Sequence, residues 1–159
     1  MSTDRRQLNI THAGAPTTAP RTMYDERFLT PMRRDLTEVG FTELRTADEV
    51  DEAIQKPGTA MVLVNSVCGC SARMARPAAR IAVTHSTKPD HLYTVFAGQD
   101  AEATAQARSY FTGYAPSSPS MAILRDGKLV WMMERWQIEG RTAEEIAQEL
   151  IGAFDEYCV

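Results

Sequence analysis

Apolar positions along the chain change their period several times, and each change marks an element. Phe28, Leu29, Met32, Leu36 and Val39 fall on one helical face, and Gly40 stops the run. Thr30-Pro31 reads as an N-cap followed by proline at the first helical position. Residues 41–44 suit a short strand. Thr46-x-x-Glu49 is a capping box that opens a helix burying Val50, Ala53 and Ile54, and Pro57-Gly58 ends it. Residues 60–64, Ala-Met-Val-Leu-Val, form a continuous apolar run, which predicts a strand covered on both faces. The spacing then predicts a helix over 71–86 with a kink at Pro77, and a strand over 91–97. Asp100 can cap a helix that ends near Gly113. Two strands over 120–125 and 128–133 flank Asp126-Gly127, a hairpin signal, and Trp131, Met132 and Met133 fall in the core or on the sheet surface. Thr142-x-x-Glu145 opens a last helix with Ile146, Leu150, Ile151, Phe154 and Tyr157 on its buried side.

The order is one helix followed by β-α-β-α-β-α-β-β-α. The early β-α-β units require parallel strands with right-handed crossovers, and the hairpin adds an antiparallel pair. The result is an α/β architecture, a mixed central sheet flanked by helices. This is the element order of the thioredoxin fold with an extra helix in front. Residues 1–22 hold few large apolar residues, and Pro16 and Pro20 interrupt any helix, so they are expected to be a disordered tail. Residues 23–159 are expected to be one domain.

Composition narrows the function. A net charge of −4 argues against a protein that coats nucleic acid. No apolar run approaches a membrane span, and no targeting segment is visible, so a cytoplasmic location without membrane partners is expected. Three cysteines are too few for a disulfide scaffold. The sequence leaves the oligomeric state open.

Two of those cysteines stand two positions apart, as Cys68-Gly69-Cys70. The pair follows a buried strand and opens a helix, where reactive groups lie in open α/β sheets. Unpaired N–H groups and the helix dipole stabilise a thiolate there. Cys68, first out of the strand, is assigned the attacking role and Cys70 the resolving role, with Gly69 permitting the turn between them. Asn65 and Ser66 either hydrogen-bond the loop that positions Cys68 or cap the helix. Arg73 and Arg76 could add positive potential but read as solvated helix-surface charges. A disulfide across one residue is short and easily reduced, which suits exchange better than permanent structure. A non-catalytic metal- or cluster-binding carrier is the main rival. Two cysteines supply only two ligands, and the spacing of His85, His91 and Cys158 adds no support. A redox-sensing binding module is a third possibility. Cys158 is penultimate and is expected to be flexible, either an idle thiol or a site of mixed-disulfide formation.

The segment Val64-Asn65-Ser66-Val67-Cys68-Gly69-Cys70, with Ala75-Arg76-Pro77-Ala78, resembles the bacilliredoxins. So do Val95-Phe96-Ala97-Gly98-Gln99-Asp100, Tyr110-Phe111-Thr112-Gly113, Pro116-Ser117-Ser118-Pro119-Ser120-Met121 and Ile138-Glu139-Gly140. The resemblance runs from about Tyr24 to the C-terminus. It implies a thioredoxin-like fold and thiol–disulfide chemistry: removal of bacillithiol from S-thiolated cytosolic client proteins, with weak disulfide isomerase activity. Cys68 and Cys70 match the family's two active-site cysteines. Bacillithiol is implied as co-substrate, with no bound cofactor and no metal. The resemblance also implies a cis Ser118-Pro119 bond facing the reactive cysteine, with the Ser118 backbone pairing with substrate. Trp136 stands where some members carry a histidine.

Overall fold

A computed structural model describes residues 24–159. The expected tail over 1–22 lies outside the described residues. The elements are α1 (Glu26–Thr37), β1 (Thr42–Glu43), α2 (Ala47–Ile54), β2 (Thr59–Asn65), a π-helical turn (Ser71–Ala75) running into α3 (Arg76–Ala82), β3 (His91–Phe96), α4 (Ala101–Ser109), β4 (Ser120–Arg125), β5 (Lys128–Met133), α5 (Arg135–Ile138) and α6 (Ala143–Tyr157).

The five strands lie in the order β1-β3-β2-β4-β5. β3 runs parallel to β1 and β2, and β4 runs antiparallel to β2 and β5. Central β2 is buried along its whole length, as its unbroken apolar run predicts. Its side chains alternate between two cores. Met61 and Leu63 join Leu36, Ala79, Leu150 and Phe154 on the face covered by α1, α3 and α6. Ala60, Val62 and Val64 join Val50, Ile54, Ala103 and Phe111 under α2 and α4. Asp126 and Gly127 have φ of 50° and 78°, the pair of positive values that a type I′ turn needs between twisted strands.

Three expectations shift. Helix α1 starts at Glu26, not at Thr30-Pro31. Asp25 is its cap, accepting from the Arg27 N–H at 2.9 Å, while the Thr30 hydroxyl donates back to the Glu26 carbonyl. Pro31 therefore lies inside the helix, and Phe28 points to solvent. The segment after Cys70 is not one α-helix to 86. It opens as a π turn in which the Arg76 N–H donates to the Ser71 carbonyl, so the irregularity precedes Pro77, and α3 ends at Ala82. Asp100 precedes α4 but makes no side-chain cap, because Arg33 takes its carboxylate at 2.8 Å. Short α5 follows Glu134, whose N–H donates to Gln137 Oε1 at 2.8 Å. The Glu134-x-x-Gln137 spacing is the signal that could have found it.

Candidate functional site around Cys68

Strand β2 ends at Asn65, and the chain turns through Ser66 and Val67 into a helical turn. The Cys68 carbonyl accepts the first bonds of that turn, from Ser71 N–H at 3.1 Å and Ala72 N–H at 3.2 Å. Cys68 is therefore the N-cap residue, where free N–H groups and the helix dipole favour an anion. Cys68 and Cys70 are both half-buried thiols. Gly69 lies outside the left-handed region, and a Cβ built on it meets no atom within 4 Å. The reduced backbone thus adopts this turn without needing glycine.

A chain of hydroxyls holds the sulfur. Ser66 Oγ is 3.1 Å from Cys68 Sγ and 2.9 Å from Ser71 Oγ. Ser71 Oγ also accepts from the Ser66 N–H at 3.1 Å, and its proton is free to go to Ser66 Oγ once Ser66 turns its own proton to an acceptor-only thiolate. Ser66 Oγ then donates to the Cys68 thiolate. Burial of the thiol opposes ionisation. The Ser66 hydroxyl, the N–H groups of Ser71 and Cys70, and the Arg135 charge overcome it, so the Cys68 pKa falls below the ordinary thiol value. Of the residues in this relay, Ser71 had no role in the sequence reading.

Asn65 performs the first of the two tasks open to it. Its Oδ1 accepts from the Ser66 N–H at 2.9 Å, and its Nδ2 donates to the Met32 carbonyl of α1 at 3.3 Å. The expectation that Arg76 is a solvated surface charge is corrected. Arg76 is buried, and its Nη1 donates to Asn65 Oδ1 at 3.0 Å and to the Ser66 carbonyl at 2.9 Å, while Nε pairs with Asp35 at 3.1 Å. The π turn and α3 bring the guanidinium back beneath the loop, a placement that helical periodicity does not reveal. Arg73 is exposed, as expected.

The Ser118-Pro119 peptide is cis. Ser118 and Cys68 share the wall of an open cleft of about 340 Å³ with Tyr24, Arg108 and Arg135. Arg135 Nη1 donates to the Ser118 carbonyl at 3.2 Å, its Nε pairs with Glu139, and it stands close enough to the Cys68 and Cys70 sulfurs to feel their charge. Neither Arg108 nor Arg135 carried a sequence signal. α4 supplies the first and α5 the second, and only the folded chain brings them to one cleft. Trp136 is 70% exposed, and its indole N–H donates to Glu134.

Cys158 is not at a loose end. It is half-buried against the core below α6, and its N–H donates to the Phe154 carbonyl at 2.9 Å. Burial pushes its thiol pKa up, the opposite direction from Cys68. His85 pairs with Asp155 at 2.8 Å and His91 stacks on Tyr93. Among the described residues, no three His, Cys, Asp or Glu side chains are grouped to hold a metal ion. No helix there is long and apolar enough to cross a membrane.

A family model described as "Disulphide isomerase" matches residues 24–158. A bacilliredoxin from Koribacter versatilis is 58% identical over 137 residues, covering 86% of this chain and 94% of that protein. A bacilliredoxin from Geobacillus kaustophilus is 58% identical over 126 residues, covering 79% and 87%. Among solved structures, a thioredoxin from Malassezia sympodialis superposes with a TM-score of 0.52 at 10% identity, covering 76% of this chain and 92% of that one. The last likeness is one of fold, with the front helix α1 added here. On the likeness of sequence, the chain belongs to the bacilliredoxin family, a family of thiol–disulfide oxidoreductases.

Proposed function

We propose that this chain removes bacillithiol from S-thiolated client proteins in the cytosol, with Cys68 as nucleophile and Cys70 as resolving thiol. The observation that carries the reading is the Cys68 sulfur itself, placed at a helix N-terminus and lowered in pKa by donors on several sides. A thiolate available near neutral pH attacks a disulfide, and a thiol does not.

The Cys68 thiolate attacks the bacillithiol sulfur of the mixed disulfide. A Cys68–bacillithiol disulfide forms, the client sulfur leaves with the electron pair, and it takes a proton. Cys70 then attacks the Cys68 sulfur and releases bacillithiol as a thiol, or a second bacillithiol attacks the bound bacillithiol sulfur, so that bacillithiol disulfide leaves and Cys68 is freed as the thiolate. When Cys70 does this, the two cysteines are left oxidised, and an external thiol must reduce them again. Asn65 keeps the loop under Cys68 in place. The Ser118 backbone receives the client chain in an extended pairing. Its carbonyl already accepts from Arg135, and its second lone pair stays available. Gly69 serves the closed form, in which the two sulfurs must meet. Weak isomerase activity follows from the same exchange chemistry acting on protein disulfides.

The test is reduction of one carrier protein prepared in S-bacillithiolated and S-glutathionylated forms. The bacillithiolated form is expected to be reduced faster, and a Cys70→Ser variant is expected to accumulate the mixed disulfide while Cys68→Ser does not. No reduction of either form, or equal trapping by both variants, overturns the reading.

A further inference from the structure

The cleft beside Cys68 differs in charge from the molecule around it. The chain carries a net charge of −4, yet the cleft wall holds two arginines, Arg108 and Arg135, and no carboxylate. Arg135 is neutralised by Glu139. Arg108 has no such counter-ion among the described residues. Its Nη2 donates to the Ser117 carbonyl at 3.2 Å, and its Nε is buried without a hydrogen-bond partner. Burial opposes its charge, and no neighbouring anion works the other way.

A guanidinium stays protonated under all ordinary conditions, so a half-buried one without an anion is a standing cost. An anion entering the cleft removes that cost. The planar fork of donors suits a carboxylate. The position is also fixed. α4 carries Arg108, and its bond to Ser117 ties it to the loop that ends in Ser118-Pro119. Arg108 therefore sits beside the two groups that any mixed disulfide must approach, the Cys68 sulfur and the Ser118 backbone.

We propose that Arg108 forms an anion subsite that holds a carboxylate of the small thiol being removed. This inference rests on the de-thiolation reading above and specifies how the site selects its substrate. It also accounts for which sulfur is attacked. With the small thiol's carboxylate seated at Arg108, the small thiol's sulfur faces Cys68, and the client sulfur becomes the leaving group. The bond formed is Cys68 to the small thiol, the bond broken is the mixed disulfide, and the client sulfur departs with the electron pair and is protonated.

The test compares two mixed disulfides of one carrier protein. One carries N-acetylcysteine and the other its methyl ester, which differs by loss of the carboxylate charge. The ratio of kcat/KM for acid over ester is read in the full chain. Arg108→Gln, which keeps a donor for Ser117 and removes the charge, is expected to lower that ratio about tenfold, and Arg108→Lys to retain most of it. In the unaltered protein the same ratio is expected to fall as ionic strength rises, a reading that needs no folded variant. A ratio that is the same in Arg108→Gln, or insensitive to salt, overturns the subsite and leaves de-thiolation standing. Failure to reduce either mixed disulfide instead overturns de-thiolation, and the subsite with it. A client side chain is the other source of a carboxylate. Because the client is the same in both substrates, an Arg108→Gln variant that slows acid and ester equally, leaving their ratio unchanged, assigns the anion to the client and overturns the proposal.

As an independent reading, succinate is expected to slow iodoacetamide alkylation of Cys68 in a Cys70→Ser, Cys158→Ser background, and neutral succinamide is not. Equal effects of the two overturn the subsite.

Discussion

The Cys68 thiol is under two opposed influences. Partial burial favours the neutral form, and an array of donors favours the anion and prevails. The Ser66 hydroxyl is the side-chain donor nearest the sulfur, at 3.1 Å; a thiolate only accepts, so Ser66 donates to it and can accept in turn from the Ser71 hydroxyl behind it. Ser66→Ala is expected to slow alkylation of Cys68 at neutral pH roughly tenfold, the worth of one hydrogen bond to a charged acceptor. Its alkylation midpoint is expected to move to higher pH. An unmoved midpoint would remove Ser66 from the relay. Cys158 supplies an internal comparison. Its pKa is raised where that of Cys68 is lowered, so alkylation of Cys68 is expected to rise with pH first and that of Cys158 later. Peptide mapping after timed iodoacetamide treatment across pH 5–10 checks the order. Gly69→Ala is expected to change stability by less than about 0.5 kcal/mol in urea unfolding, because the added Cβ meets nothing and the backbone is not left-handed.

Helix α1 is held to the sheet by more than its apolar face. Leu29 and Leu36 are fully buried, and between them Arg33 enters the protein. Its guanidinium pairs with Glu26 at 2.6 Å, Asp100 at 2.8 Å and Glu43 at 3.2 Å, and it lies 5.1 Å from the centre of the Phe96 ring. One cation thus joins α1, β1 and the start of α4. Burial works against its charge, but the three carboxylates raise its pKa above the ordinary arginine value. Removing it leaves Asp100, largely shielded from water, without its cation, and leaves Glu43 with only the half-exposed Arg45. Arg33→Met is expected to destabilise the protein by about 3–5 kcal/mol, seen as a lower urea midpoint with an unchanged slope. The same helix reaches the site through its Met32 carbonyl and Asp35, which hold Asn65 and Arg76. The extra front helix is therefore part of the scaffold under Cys68.

The molecule is organised about β2, which both cores share and which delivers the chain to Cys68. Leu63 is fully buried on the α1-α3-α6 side. Leu63→Ala is expected to cost about 3 kcal/mol by leaving a cavity in a strand that cannot collapse around it. Equilibrium unfolding in urea measures this. Much of this architecture was legible in the sequence because its signals are local. An unbroken apolar run marks a strand covered on both sides, Thr46 and Thr142 cap helices within four residues, and Asp126-Gly127 fits one turn type. Cys68-Gly69-Cys70 stands out by its spacing as the candidate thiol pair, and the helix start beside it follows from the strand before it. Other features came from distance. Asp100 has the local form of a cap, but Arg33, 67 residues away, takes its carboxylate. Arg76 has the local form of a surface charge, but the π turn and α1 enclose it with Asn65 and Asp35. Arg108 and Arg135 have no local mark at all. The sequence by itself determined most of the elements, their order and the position of the Cys68-Gly69-Cys70 pair after a buried strand, because backbone geometry and hydrophobic period act over a few residues. Only the tertiary structure decided the charge around the thiol, because the partners that set it come together through packing of separate elements.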